Sequence, residues 1–157
     1  MTGRAEVDRL KRVLDENFKR AARIDNDPEL QSDFARYLCI LVSGFIEKAA
    51  VELILEHTRR RADPTVLRFV ESRTRQFTNV NSQRLQELLG AFDPAWRSNL
   101  EKFLVDERKD SVDSIVNLRN QISHGQSVGV TFVRVKNYYE HVQAVIDYVA
   151  NLCVPQA

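Results

Sequence analysis

A chain of 157 residues with 43% hydrophobic and 29% charged side chains holds enough apolar material for one domain with a proper core. Its net charge of +1 excludes a molecule drawn to polyanions by its overall field, so any nucleic-acid site must come from local clustering. Five glycines and four prolines are too few for a turn-rich β architecture.

Cys39 and Cys153 sit in apolar-periodic stretches and lack metal-ligand spacing to each other or to histidine. Both read as buried, reduced thiols, which fits a cytoplasmic compartment. The first residues are charged and have no signal-peptide core. The apolar run from Tyr37 onward is broken by Glu47, Lys48 and Glu52, so it reads as a buried helix and no membrane span is expected.

Residues 4–24 predict a first helix, with Val7, Leu10, Leu14, Phe18 and Ala21 as its apolar stripe. Pro28 closes the following turn, because proline disfavours helix at the residue before it. A second helix runs from Pro28 or Ser32 to Arg61. Its apolar positions, among them Phe34, Leu38, Leu41, Phe45, Ala49 and Leu53, cover more than one stripe, which places it centrally. Glu47 lies inside that apolar section. It either reaches solvent at the domain edge or faces Arg119 and orients it by a charge-assisted hydrogen bond. Arg59, Arg60 and Arg61 close the helix. They complement its dipole, or grip phosphates if they lie beside Arg119. His57 has no partner pattern and reads as a surface residue.

Asp63 and Pro64 open a third helix over 65–77 with Val66, Phe69 and Val70 facing inward. Residues 78–82 form a polar break, and Ser82 caps a short helix to Gly90. Asp93-Pro94 opens another, carrying Trp96 as a packing residue. Residues 105–110 read as a charged connection. Asp110 or Ser111 then caps a helix with Val112, Ile115, Val116, Leu118 and Ile122 on its apolar face, stopped by Gly125. Residues 126–130 form a loop in which Ser127 and the backbone amides could meet a phosphate. Thr131 caps the last helix, 132–152, on which His141 reads as exposed or satisfied.

The end of the 111–124 helix carries the chemistry. Asn120 and His124 are four apart and share a face, while Arg119 lies about 140° round from His124, with a side chain long enough to bend back. An imidazole titrates near neutrality and moves protons. A guanidinium stays charged and forks onto phosphate oxygens. RNA supplies its own nucleophile in the 2′-hydroxyl, so this pair calls for no metal and no cofactor. The same residues also have a plainer reading: His124 as a C-terminal cap and Arg119 as a surface ion-pair partner.

The run Arg119-Asn120-x-x-x-His124 resembles the RNA-cleavage motif of the HEPN superfamily: arginine, a polar residue, three variable positions, then histidine. The resemblance spans about residues 30–153 within one domain of 1–157, with residues 1–25 as an N-terminal helix. Ser43-Gly44-Phe45-Ile46-Glu47 and Tyr138-Tyr139 before a long helix are similar to the RiboL-PSP branch. This resemblance implies an all-α, up-and-down bundle of four to six helices and a homodimer whose two motif helices share one composite cleft. It further implies a metal-independent endoribonuclease of a toxin or anti-phage defence system, possibly beside an antitoxin or neighbouring defence protein. Arg119 would then hold the scissile phosphate, His124 transfer a proton and Asn120 orient either. Gly125 and Gln126 follow His124, so the His-x-Tyr extension of some toxin relatives is missing, and with it any pointer to their nucleotidyltransferase partner. A helical module that binds RNA, nucleotide or protein without cleaving is the alternative from another class. A purely structural dimerisation domain is a third.

Overall fold

The computed structural model describes residues 2–156, and these form an all-α bundle. Four helices are long: α1 Gly3–Ala22, α2 Pro28–Arg59, α6 Asp106–Ser123 and α7 Phe132–Cys153. Three short ones lie between them: α3 Pro64–Thr74, α4 Ser82–Phe92 and α5 Pro94–Phe103. The expected four to six helices are thus a four-helix bundle with three short helices inserted between its second and third long members.

α2 is the centre and packs against α1, α3, α6 and α7. Its buried side chains come in adjacent pairs one turn apart: Leu38 with Cys39, Val42 with Ser43, Phe45 with Ile46, Ala49 with Ala50, and Leu53 with Ile54. Such pairs make a face too wide for one neighbour, so three long helices are needed to cover it. The ends show the directions. Gly3 meets Glu56, and Phe18 lies against Phe132, so α1 runs against both α2 and α7. Glu107 meets His141 and the 124–131 loop meets Arg36, so α6 also runs against α7 and α2.

Several local expectations change. The charged 105–110 run is the first turn of α6, not a connection. Asp106 and Glu107 sit where the helix dipole favours negative charge, and Ser111 is buried inside the helix. Asn81, not Ser82, caps α4 by accepting the Arg84 N–H. In α3 Val66 and Phe69 are 47% and 59% exposed, because this helix has α2 on one side only; Val70 alone of the three packs on the core. His57 is half-buried and has partners, where the sequence suggests a plain surface residue. Its Nδ1 lies 2.9 Å from the Cys153 carbonyl oxygen, and its ring stands edge-on to Trp96 at 4.6 Å. Burial pushes its pKa down, as does the Arg61 charge, against the Cys153 carbonyl. Both cysteines are free and buried, and burial pushes each thiol up to about 12.

One buried carboxylate ties the bundle's end together. Glu56 accepts the Gly3 N–H at 3.3 Å, Arg59 Nη1 at 2.6 Å and Arg60 Nε at 2.9 Å. The backbones of α1 and α2 meet there so closely that a Cβ on Gly3 would lie 2.6 Å from the Glu52 carbonyl oxygen. Burial alone would raise the Glu56 pKa, but the Arg60, Gly3 and Arg59 donors outweigh it and hold the carboxyl below its ordinary value. A lowered folded pKa contributes stability above the unfolded value, about 4.3, and loses it as pH falls through the folded one. Glu56→Gln should therefore cost about 1–3 kcal/mol at neutral pH. Denaturant melts at falling pH should show that gap narrowing in acid; a gap independent of pH would contradict the charged role.

Candidate active site

The last turn of α6 ends as the sequence predicts. His124 is the C-cap residue, with its N–H on the Asn120 carbonyl oxygen at 3.1 Å. Gly125 follows at φ +73°, a left-handed conformation that glycine adopts without steric cost, and turns the chain into the 124–131 loop.

Arg119 is half-buried and held by two amides. Its Nη1 donates to Asn79 Oδ1 at 3.1 Å and to Asn120 Oδ1 at 3.4 Å. It makes no ion pair among the described residues. Asn120 touches both motif partners: its side-chain oxygen takes Arg119, and its main-chain oxygen takes the His124 N–H. The imidazole of His124 is exposed and takes part in none of these bonds. The structure thus brings Arg119, Asn120 and Asn79 together and leaves His124 open to solvent beside them.

Glu47 does not orient Arg119 directly. Its Oε1 accepts the backbone N–H of Asn79 at 3.0 Å, so the link from α2 to Arg119 runs through the 75–81 turn. Asn79 sits at φ +54°, in the left-handed region that asparagine enters more readily than most residues. The carboxylate therefore fixes a strained backbone position, and the asparagine amide passes that constraint to the guanidinium. In the sequence this segment is a polar break between two helical patterns, and nothing there ties Asn79 to Arg119. The available signal was Asn79 itself, an asparagine in a short turn between two helical patterns.

Arg59, Arg60 and Arg61 lie elsewhere. They end α2 about 20 Å along its axis from Glu47, at a rise of 1.5 Å per residue. Arg59 and Arg60 bond Glu56, and Arg61 bonds the His57 carbonyl oxygen. Within one protomer they do not stand beside the motif. Ser127 does: it is exposed in the loop after His124. Arg36, missed by the sequence reading, braces that loop through the Val128 carbonyl oxygen at 3.5 Å while paired with Asp33. His141 is satisfied by Glu107 at 3.2 Å and by the Asn137 carbonyl oxygen.

Asn79→Gly separates the backbone role of this residue from its side-chain role, because glycine keeps the left-handed turn and removes the amide. The melting temperature should shift by no more than about 4 °C. NMR of the Arg119 guanidinium should show its slowed rotation lost. Unchanged Arg119 signals would mean that Asn79 does not hold it.

The family comparison agrees with the motif. The chain matches the RiboL-PSP-HEPN family model over residues 6–154, a span that reaches into α1, further than the motif resemblance at 30–153 suggests. No curated protein and no solved structure matches it. A match over nearly the whole chain, with the Arg-Asn-x-x-x-His run at the end of α6, makes this protein a member of the RiboL-PSP-HEPN family.

Proposed function

We propose that this chain is a metal-independent endoribonuclease acting through Arg119 and His124, with Asn120 as the group that touches both. The observation that carries the reading is the way Arg119 is held. Two neutral amide oxygens orient it, and among the described residues no carboxylate neutralises it. Its remaining N–H donors keep their full charge for a phosphate. HEPN domains are often ribonuclease-related, which supports the same conclusion.

The reaction balances without an added nucleophile. The ribose 2′-oxygen attacks phosphorus and loses its proton to an imidazole. The bond from phosphorus to the 5′-oxygen breaks, and that oxygen gains a proton. The products are a cyclic phosphate and a free 5′-hydroxyl. Arg119 stabilises the charge that grows on the phosphoryl oxygens. A single His124 serves as base or acid, whereas two copies supply one of each.

That requirement favours a homodimer with a shared cleft. A second arginine would double the positive potential over the strand in a molecule whose net charge is only +1. Exposed Tyr37 and Ile40 stand on α2 within about one turn of Arg36, which braces the motif loop, and provide apolar surface for a second copy. Light scattering should give twice the 18.1 kDa chain mass. A monomer at every concentration would remove the composite cleft. The setting we favour is growth control or anti-phage defence, with a neighbouring protein restraining the nuclease.

A binding-only module is the second reading. What favours it is that the His124 imidazole is exposed and has no orienting partner among the described residues. Incubation with RNA in EDTA separates the two. The unaltered protein should cut, and Arg119→Ala or His124→Ala should each slow cutting by about 10²–10⁴-fold. RNA bound equally by all three proteins and cut by none would leave the binding module standing.

A further inference from the structure

A polar groove opens between the start of α4 and the middle of α6, with a volume of about 450 Å³, and is lined by Asn81, Gln83, Gln86, Lys109, Asp113 and Asn117. Its floor is electrically neutral. Asp113 accepts the Ser82 N–H at 2.9 Å, the Ser82 hydroxyl, and Lys109 Nζ at 3.4 Å. Two of the four amides are already engaged. Asn81 caps Arg84, and Gln83 donates to Glu87 at 3.1 Å. The amides of Asn117, which is exposed, and Gln86, which is half-buried, are left to face the groove.

Two chain segments lead from the groove toward the site. Asn81 lies two residues from Asn79, and its N–H bonds the Asn79 carbonyl oxygen at 2.9 Å. On α6, Asp113, Asn117, Asn120 and His124 follow at spacings of four, three and four, so they form one helix stripe. From Asn117 to His124 the rise is about 10 Å at 1.5 Å per residue.

A neutral groove lined with amides suits a nucleobase better than a phosphate, and the guanidinium at its end suits the phosphate. An amide presents one donor and one acceptor in a plane, which matches the N6 donor and N7 acceptor of adenine. Sequence-specific RNA recognition reads the edges of unstacked bases in this way. We propose that this groove is a base-recognition subsite that takes an adenine of single-stranded RNA beside the phosphate held by Arg119, with Asn117 and Gln86 as the reading groups. The subsite rests on the RNA reading of Arg119 and His124 given above.

The test uses the full chain carrying His124→Ala, so that RNA is held and not cut. Binding of short single-stranded oligomers of A, C, G or U is read by fluorescence anisotropy. The A oligomer should bind about tenfold tighter than the others, as one bidentate amide–adenine pair gives. Adding Asn117→Ala and Gln86→Ala should bring the four within about twofold of one another. Asn117→Asp keeps the shape, removes the amide donor and adds a negative charge; it should weaken binding of the A oligomer more than that of the other three. Four equal affinities in the parent, no binding of any oligomer, or a preference that survives these substitutions overturns the subsite. Cleavage by the unaltered protein is scored separately. Cutting without a base preference in binding removes the subsite and keeps the nuclease. An adenine preference without cutting removes the nuclease and keeps the subsite.

Discussion

Burial of α2 on nearly all sides is the constraint from which the other positions follow. Thirty-two residues at 1.5 Å each make a rod of about 48 Å, and its paired apolar side chains cannot rotate or slide without exposing core. Three polar side chains ride on this fixed rod. Arg36 braces the loop after His124, Glu47 fixes the Asn79 turn, and Glu56 receives the start of α1. They stand about 16 Å and then about 14 Å apart along the axis. The hydrophobic term thus places the groups, and the hydrogen bonds convert that placement into the orientation of chain segments distant in sequence.

How Arg119 is supported follows from this division. A carboxylate in direct contact would have oriented the guanidinium firmly and cancelled most of its charge. The chain inserts one neutral group between them. Glu47 binds backbone, Asn79 presents its amide oxygen, and Arg119 keeps its charge. By contrast, Arg59 and Arg60 share the buried Glu56, and Lys109 pairs with Asp113. Three adjacent arginines look like the strongest phosphate grip in the sequence, yet two of them are spent on holding the bundle's end together.

The parts legible in the sequence were those written in local period and local caps. The four long helices follow from apolar spacing, and Asp93 and Thr131 cap where turn chemistry predicts. Gly125 stops α6 because a left-handed residue is needed there. What failed was non-local. Nothing in Val66 or Phe69 says that α3 has a neighbour on one side only. The acidic start of α6 carries the same residues that a solvated linker would. Asn79 matters because of what Glu47 and Arg119 do to it from thirty-two and forty residues away. His57 is half-buried against an aromatic pair, Phe92 and Trp96, that belongs to other helices.

The same distinction bears on where selectivity can reside in this molecule. In the roles proposed for them, Arg119 and His124 would act on groups that every ribonucleotide carries, so they could not choose among sequences. Choice requires donors and acceptors that the fold has left unspent, at a fixed distance from the cut. Along α6, the inward side chains are committed to the core, and Asp113 is committed to Ser82 and Lys109. The outward stripe from Asn117 to His124 is what remains. A helix that is rigid because its other face packs on α2 and α7 holds the atoms of that stripe in fixed register. On the proposed reading the bundle would separate the two tasks on one element: a charged end for any phosphate, and a neutral polar middle whose amides would tell one base from another.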